Sequence, residues 1–126
     1  MRKLDAKRVV VKIGTNTICR DDGTVDQGYL EDVARQIEVL RERDVEAIVV
    51  TSGAIGSGSA ELGLDGKNKD VAMKQACAAV GQGVLMMAWR DAFRRYGMNV
   101  GQVLLTYGAF SSRGRYLDLR KAIDEM

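Results

Sequence analysis

Two short apolar segments, separated by an amphipathic one, most strongly constrain how this chain can fold. Residues 8–13 (RVVVKI) and 45–50 (VEAIVV) are rich in β-branched side chains, which favours strands. Residues 27–43 between them carry one apolar helical stripe, formed by Leu30, Val33, Ile37 and Leu40. A strand, a helix and a strand in this order predict a parallel sheet with a right-handed crossover. The nearly continuous apolar run of the first segment predicts a strand buried on both faces.

Turn and capping residues mark the ends of these segments. The polar stretch after the first strand contains Asp21, Asp22 and Gly23, which favour a turn. Asp26 stands immediately before the amphipathic segment, where a short carboxylate side chain commonly caps the first helical turn. We therefore predict a turn at residues 21–23 and a helix that begins at residue 27.

The second half of the chain predicts three further helices and a third strand. The glycine- and serine-rich residues after the second strand predict a short helix that ends near Gly63. A long helix is predicted over 69–96 and ended by Gly97, with one apolar face formed by Met73, Cys77, Val80, Val84 and Met87. Residues 98–106 predict a strand, and residues 112–126 a helix on which Tyr116, Leu119 and Ile123 share a face.

Length and composition limit the classes of protein to which the chain can belong. Its 126 residues suit one small domain, and 46% hydrophobic with 29% charged residues exclude a disordered tail. No apolar run approaches the roughly 20 residues of a membrane span, and the charged start does not resemble a signal peptide. The net charge of +2 comes without a basic block, so neither nucleic acid nor a membrane is expected as a partner.

Histidine is absent and cysteine is sparse, and both facts narrow the possible chemistry. Without histidine the chain cannot form Ser-His-Asp or Cys-His catalytic groups, or the common histidine metal sites. Cys19 and Cys77 lie far apart and match no metal-binding spacing. We expect reduced thiols, a cytoplasmic location and no metal ligands from the protein.

Small and polar residues follow both strands of the predicted βαβ unit. The first strand runs through Lys12 into residues 14–16 (Gly-Thr-Asn), and the second runs into residues 51–54 (Thr-Ser-Gly-Ala). Ligands of open parallel sheets bind beyond the carboxyl ends of the strands, and glycines let backbone N–H groups approach them. A lysine beside such turns suits phosphate or carboxylate groups. From the local pattern alone, a solvated lysine and a plain connecting loop are the commoner alternatives.

Four segments that together cover nearly all of the chain carry a family resemblance: VVVKIGTNT, IVVTSGAIGSG, KQACAAVGQGVLM and YGMNVGQVLLT. In this order and spacing they resemble the amino acid kinase family, and within it the branch that phosphorylates glutamate. The turn at residues 51–54 discriminates most, because related branches typically carry a Gly-Gly-Gly-type turn there.

The resemblance implies a fold, a reaction and a set of site residues. The fold is a three-layer α/β/α sandwich around a mainly parallel sheet. The reaction is ATP-dependent phosphorylation of the γ-carboxylate of L-glutamate, the first step of proline biosynthesis, with Mg²⁺ bound mainly through the substrate phosphates. The implied residues are Lys12 as catalytic and phosphate-binding side chain, Gly14, Thr15 and Asn16 on the ATP phosphates, and Ser52, Gly53 and Ala54 on the amino acid.

The chain also differs from the family it resembles. Family members are much longer, so residues 1–126 are expected to form the N-terminal, substrate-binding part of the domain, without its nucleotide-binding half and inactive alone. Asn16 stands where bacterial members often have serine. Subunits of the family pair through this half, which implies a homo-oligomer with the helix at 69–96 in the interface; burial of that helix within one subunit is an equal alternative.

Two other functions are compatible with the sequence. One is a non-catalytic module of the same fold that keeps the dimerisation surface and a weak anion site. The other is a phosphate- or nucleotide-binding α/β domain of another reaction class. The second is disfavoured because the glycine spacing matches neither the dinucleotide fingerprint nor the phosphate-binding loop.

Overall fold

The computed structural model describes residues 5–64 and 70–126. It is a mixed α/β structure with a small parallel sheet. In chain order the elements are β1 (Arg8–Ile13), α1 (Thr15–Ile18), α2 (Gln27–Arg41), β2 (Glu46–Thr51), α3 (Ala54–Glu61), α4 (Val71–Arg94), a 3-10 turn (Tyr107–Ala109) and α5 (Arg113–Glu125).

The βαβ unit predicted from the apolar segments is present. β1 and β2 pair in parallel, from Arg8 opposite Glu46 to Ile13 opposite Thr51, and α2 connects them. The Asp26 carboxylate caps α2 by accepting the Tyr29 N–H at 3.1 Å. The predicted stripe of α2 faces inward, with Leu30, Val33 and Ile37 buried and Leu40 half-buried.

The turn before α2 is confirmed, and it packs against a later helix. Gly23 adopts a φ of 84°, and a Cβ atom there would lie 2.7 Å from the Gly56 carbonyl oxygen of α3. Asp22 closes the turn by accepting hydrogen bonds from the Thr24 hydroxyl and backbone N–H. These two bonds, the hydroxyl bond foremost, hold the pKa of the Asp22 carboxyl below its usual value.

The prediction that the first strand is buried on both faces is wrong. Side chains alternate along β1, with Val11 and Ile13 packed against the core and Val10 exposed to 65%. Val50 on β2 is 47% exposed. The cause is that the core side chains from α2 and α4 gather on one face of the sheet, while the described elements leave Val10 and Val50 uncovered.

Helices α3 and α4 cross at a point where each helix has a glycine, Gly58 in α3 and Gly81 in α4. A Cβ atom on Gly58 would overlap the Cys77 carbonyl group, and one on Gly81 would overlap the Ala54 carbonyl group. Backbone therefore packs directly on backbone at this crossing. Because Ala54 is the first residue of α3, the crossing places α4 against the segment that follows β2.

Helix α4 is present and ends near the predicted residue, but the face that it buries is not the predicted one. Its side chains Leu85, Trp89 and Phe93 enter the core, and Cys77 is fully buried. The other predicted face residues are exposed or half-buried: Met73, Val80, Val84 and Met87. Both stripes are apolar, so periodicity alone could not distinguish them; the glycine crossing and the fit against α2 select the inward one.

The ends of α4 follow the predicted signals. Asp70 caps the helix by accepting the Met73 N–H at 2.7 Å, and Gly97 adopts a φ of 64° beyond its last turn. The predicted first residue, 69, lies outside the described residues. By length and composition α4 could also cross a membrane, but this is weak evidence, because core helices of soluble proteins meet the same criterion.

Residues 98–106 do not form the predicted third strand. The described part of the chain contains a two-stranded sheet, and residues 98–106 have no ladder partner in it. Met98 and Val100 pack against the core, whereas Leu104 is 71% exposed. High strand propensity alone does not form a strand, and this segment pairs with neither β1 nor β2 in the described structure.

The helix predicted over residues 112–126 is confirmed and is α5. The Ser112 hydroxyl caps it by accepting the Arg115 N–H at 3.3 Å. Tyr116, Leu119 and Ile123 lie on one face and line a cleft together with Leu105 and Phe110. Arg8 at the start of β1 donates to Asp124 at 3.1 Å, which ties α5 to the sheet.

Candidate functional site

The turns that follow β1 and β2 contact each other. The Ser52 N–H donates to the Ile13 carbonyl at 3.3 Å, and the Ser52 hydroxyl lies 3.4 Å from the same oxygen. The Thr15 hydroxyl donates to the Ser52 hydroxyl oxygen at 3.1 Å. Parallel pairing in register carries both strands to the same edge, so these contacts follow from the topology.

A helix begins at each turn, and glycine precedes both helices. Gly14 caps α1 and Gly53 caps α3, and neither helix start receives a side-chain cap within the described residues. The first N–H groups of α3 are therefore not occupied by a capping side chain, and a helix start carries partial positive charge. Ala54 is the first residue of α3, and Asn16 lies exposed in α1.

Gly53 has a conformation that the turn needs. Its φ is 112°, which side chains other than glycine rarely adopt. A Cβ atom there would also lie 3.0 Å from the Ile18 Cγ2 and 3.1 Å from the Cys19 Sγ. The chain consequently passes close to the end of α1 before it enters α3, and glycine is the residue that permits this approach.

Lys12 lies on the open face of the sheet, opposite Val50 and next to Ile13. Its side chain is exposed, and the described residues offer it neither an ion pair nor a hydrogen bond. No hydrogen bond joins Lys12 to Ser52 in this part of the chain. A ligand that lies across the strand ends would therefore bridge a free ammonium group and the backbone N–H groups of the turns.

Thr51 and Trp89, which were not among the predicted site residues, support the second turn from the core side. The Thr51 hydroxyl donates to the Ser52 carbonyl at 3.1 Å. It also accepts the indole N–H of Trp89 in α4 at 3.4 Å. Thr51 stands next to Ser52 in the sequence, but the four-residue spacing of Cys77, Gly81, Leu85 and Trp89 was the only signal that Trp89 faces this way.

Metal ligands are a separate question, because the family resemblance implies a reaction that uses magnesium. Among residues 5–64 and 70–126, no group of three or more His, Cys, Asp or Glu side chains could hold a metal ion. The residues described here do not fit a dedicated magnesium site. Both cysteines are free thiols, with Cys19 half-buried near the Gly53 turn and Cys77 buried at the helix crossing.

Comparison with known proteins gives a consistent result. The chain matches the amino acid kinase family over residues 7–126. It is 44% identical over 122 residues to the glutamate 5-kinase of Methanococcoides burtonii, covering 97% of this chain and 32% of that protein. It is 43% identical over 120 residues to the glutamate 5-kinase of Thermus thermophilus, covering 95% of this chain and 32% of that protein.

A third relative has similar values. The glutamate 5-kinase of Corynebacterium efficiens is 44% identical over 123 residues, which are 96% of this chain and 33% of that protein. The chain thus spans about a third of the length of the curated relatives it matches. Because the family match extends over almost all of the sequence and includes both strand-end turns, this chain belongs to the amino acid kinase family.

Proposed function

We propose that this chain is the N-terminal, substrate-binding part of a kinase that phosphorylates the γ-carboxylate of L-glutamate with ATP, the first step of proline biosynthesis. The observation that carries the proposal is the meeting of the two strand-end turns, where Thr15 contacts Ser52 beside an unpaired Lys12. The relatives named glutamate 5-kinase support the choice of substrate and reaction.

The proposed chemistry needs positioning and charge neutralisation rather than a nucleophile from the protein. The attacking group is the γ-carboxylate of glutamate, which is ionised at neutral pH. An oxygen of this carboxylate forms a bond to the γ-phosphorus, and the bond from that phosphorus to the β-phosphate oxygen breaks as ADP leaves. Lys12 would stabilise the charge on the transferring group, which makes it the catalytic residue.

The remaining residues of the two turns have distinct proposed tasks. Gly14, Thr15 and Asn16 would contact the phosphates of ATP, and Ser52, Gly53 and Ala54 would hold the amino acid. The absence of histidine does not hinder this reaction, because no group has to remove a proton from the carboxylate. Magnesium would arrive with ATP, bound mainly to the phosphate oxygens.

Larger-scale features complete the proposal. The parallel sheet would be part of a three-layer α/β/α sandwich, with the nucleotide-binding half outside residues 1–126. The protein would act in the cytoplasm as a homo-oligomer. A non-catalytic dimerisation module of the same fold is the second candidate, favoured by the exposed apolar side chains Met73, Val80 and Met87 along α4.

The test compares two site variants with one control in the complete polypeptide that carries this sequence. Lys12→Ala should lower kcat about 100- to 1000-fold, the usual effect of removing one preorganised electrostatic contact in a transition state. Lys12→Arg should not restore it, because a planar guanidinium does not replace a compact ammonium. Ser52→Ala should raise the KM for glutamate about tenfold with a smaller change in kcat.

Lys7→Ala is the matched control, because Lys7 is an exposed lysine immediately before the opposite end of the same strand. Its kinetic constants should stay near those of the wild type. Phosphorylation is measured by trapping the acyl phosphate with hydroxylamine. If Lys12→Ala changed only the KM for glutamate, or behaved like Lys7→Ala, the assignment of the phosphate site to the end of β1 would be wrong.

A further inference from the structure

The peptide between Ser52 and Gly53 is held from the core side by a two-step hydrogen-bond chain. The indole N–H of Trp89 donates to the Thr51 hydroxyl oxygen at 3.4 Å, and the Thr51 hydroxyl donates to the Ser52 carbonyl at 3.1 Å. The hydroxyl of Thr51 serves as acceptor and donor at once, so its proton is directed toward the Ser52 carbonyl. This chain links α4 to the turn that follows β2.

Trp89 is a rigid anchor for this chain. Its side chain is 3% exposed and stacks on Phe93, with ring centroids 5.7 Å apart. Among the residues that the structure describes, Thr51 is the hydrogen-bond partner of the indole. A tryptophan packed on several sides cannot turn its N–H elsewhere without repacking the core, so it holds Thr51 in one rotamer.

Holding the Ser52 carbonyl also orients the next N–H group. A trans peptide is planar, so its C=O and N–H point in opposite directions. With the carbonyl held toward Thr51, the Gly53 N–H points away from that hydroxyl. No backbone or side-chain acceptor in the described residues takes this N–H.

We propose that Thr51 and Trp89 are positioning residues, which orient the Ser52–Gly53 peptide so that the Gly53 N–H donates to an anionic oxygen of the substrate. The inference rests on the proposed function for the identity of that substrate, L-glutamate. It adds two residues that touch no substrate themselves and act through the backbone of the turn. The role of Thr51 can be tested with the nearly isosteric substitution Thr51→Val.

The first experiment examines the hydrogen-bond chain without any substrate. This 126-residue chain has one tryptophan, so its NMR spectrum has one indole N–H resonance. Thr51→Val should shift that resonance and speed its exchange with solvent, and should also shift the Gly53 amide resonance, because the Ser52 carbonyl of the same peptide loses its hydrogen bond. Thr51→Ser, which keeps the hydroxyl, should retain the wild-type values. Thr106→Val replaces an exposed threonine outside the site and should change neither.

The second experiment measures steady-state kinetics in the complete polypeptide. Thr51→Val should raise the KM for glutamate about tenfold, as loss of one well-placed hydrogen bond typically does, with kcat and the KM for ATP within about twofold. Trp89→Phe, which keeps an aromatic ring but lacks the N–H, should shift the KM for glutamate in the same direction. Thr51→Ser keeps the hydroxyl group and lacks only the methyl group, so its KM for glutamate should stay near the wild-type value. If the methyl group of Thr51 were what mattered, Thr51→Ser would raise the KM as well.

The outcomes separate this inference from the proposed function. A wild-type KM for glutamate in Thr51→Val, with a lost indole hydrogen bond, overturns the positioning role and leaves the kinase assignment standing. If the wild-type protein does not phosphorylate glutamate, the proposed function fails, and the NMR experiment decides on the positioning role. A shifted Gly53 amide resonance in Thr51→Val then supports that role, and an unchanged resonance overturns it.

Discussion

At the scale of single residues, Gly53 and Gly14 occupy equivalent places in the chain but meet different demands. Both precede a helix at the end of a strand. Gly53 has a φ of 112° and close neighbours in Ile18 and Cys19, whereas Gly14 has a φ of −82° and no neighbour within 4 Å of an added Cβ. The backbone conformation therefore requires glycine at residue 53 but not at residue 14.

This difference predicts opposite effects of alanine on stability. Gly53→Ala should lower the free energy of unfolding by about 2 kcal/mol, because a side chain rarely adopts a positive φ and the methyl group contacts Ile18 and Cys19. Gly14→Ala should raise it by about 0.4–1 kcal/mol, because the unfolded chain loses freedom while the folded conformation is allowed. Urea unfolding of both variants tests this. Equal effects would contradict the left-handed conformation of Gly53.

At the scale of elements, the crossing of α3 and α4 determines where the second turn lies. Gly58 and Gly81 let the two backbones touch, and the crossing point lies beside Ala54 at the start of α3. Any side chain at either glycine has to separate the helices. Because α3 begins immediately after Gly53, such a separation would also move the proposed substrate turn.

Alanine substitutions along the two helices measure this packing. Gly58→Ala and Gly81→Ala should each lower the free energy of unfolding by about 3 kcal/mol, because the methyl group meets backbone atoms that cannot rotate away. Gly83→Ala is the control in the same helix, where an added Cβ has no neighbour within 4 Å. It should stabilise the protein by about 0.5–1 kcal/mol through helix propensity. Thermal unfolding of all three variants is the measurement, and a stable Gly81→Ala protein would refute the close crossing.

At the scale of the whole molecule, one face of the sheet carries apolar side chains that the described elements do not cover. Val10 and Val50 lie on neighbouring strands and are 65% and 47% exposed. Exposed apolar surface together with unpaired strand edges favours association with other chains. The three-layer sandwich proposed for the family would cover this face with a further layer.

We expect the isolated 126-residue chain to self-associate through this face. Its average mass in sedimentation equilibrium should rise with concentration. The double substitution Val10→Thr and Val50→Thr should reduce the association, because threonine keeps the β-branched shape but adds a hydroxyl group. Val71→Thr changes an equally exposed valine on α4 and should have no effect. A monomer at every concentration, or undiminished association of the double variant, would contradict this expectation.

The sequence by itself determined the elements whose signals are local. The apolar runs of β1 and β2, the stripe of α2 and the Asp26 cap depend on residues within a few positions of one another, and all appear as predicted. The order strand, helix, strand then implies the parallel pairing and the meeting of the two turns. The candidate site at the strand ends was accessible from the sequence for this reason.

Only the tertiary structure decided which of two apolar stripes of α4 faces inward, and which residues support the second turn. Thr51 and Trp89 are 38 positions apart, and Gly58 and Gly81 meet only because two helices cross. Residues 98–106 have the composition of a strand but pair with neither β1 nor β2 in the described structure. Such features depend on contacts between segments distant in sequence, and local periodicity and propensity contain no information about these contacts.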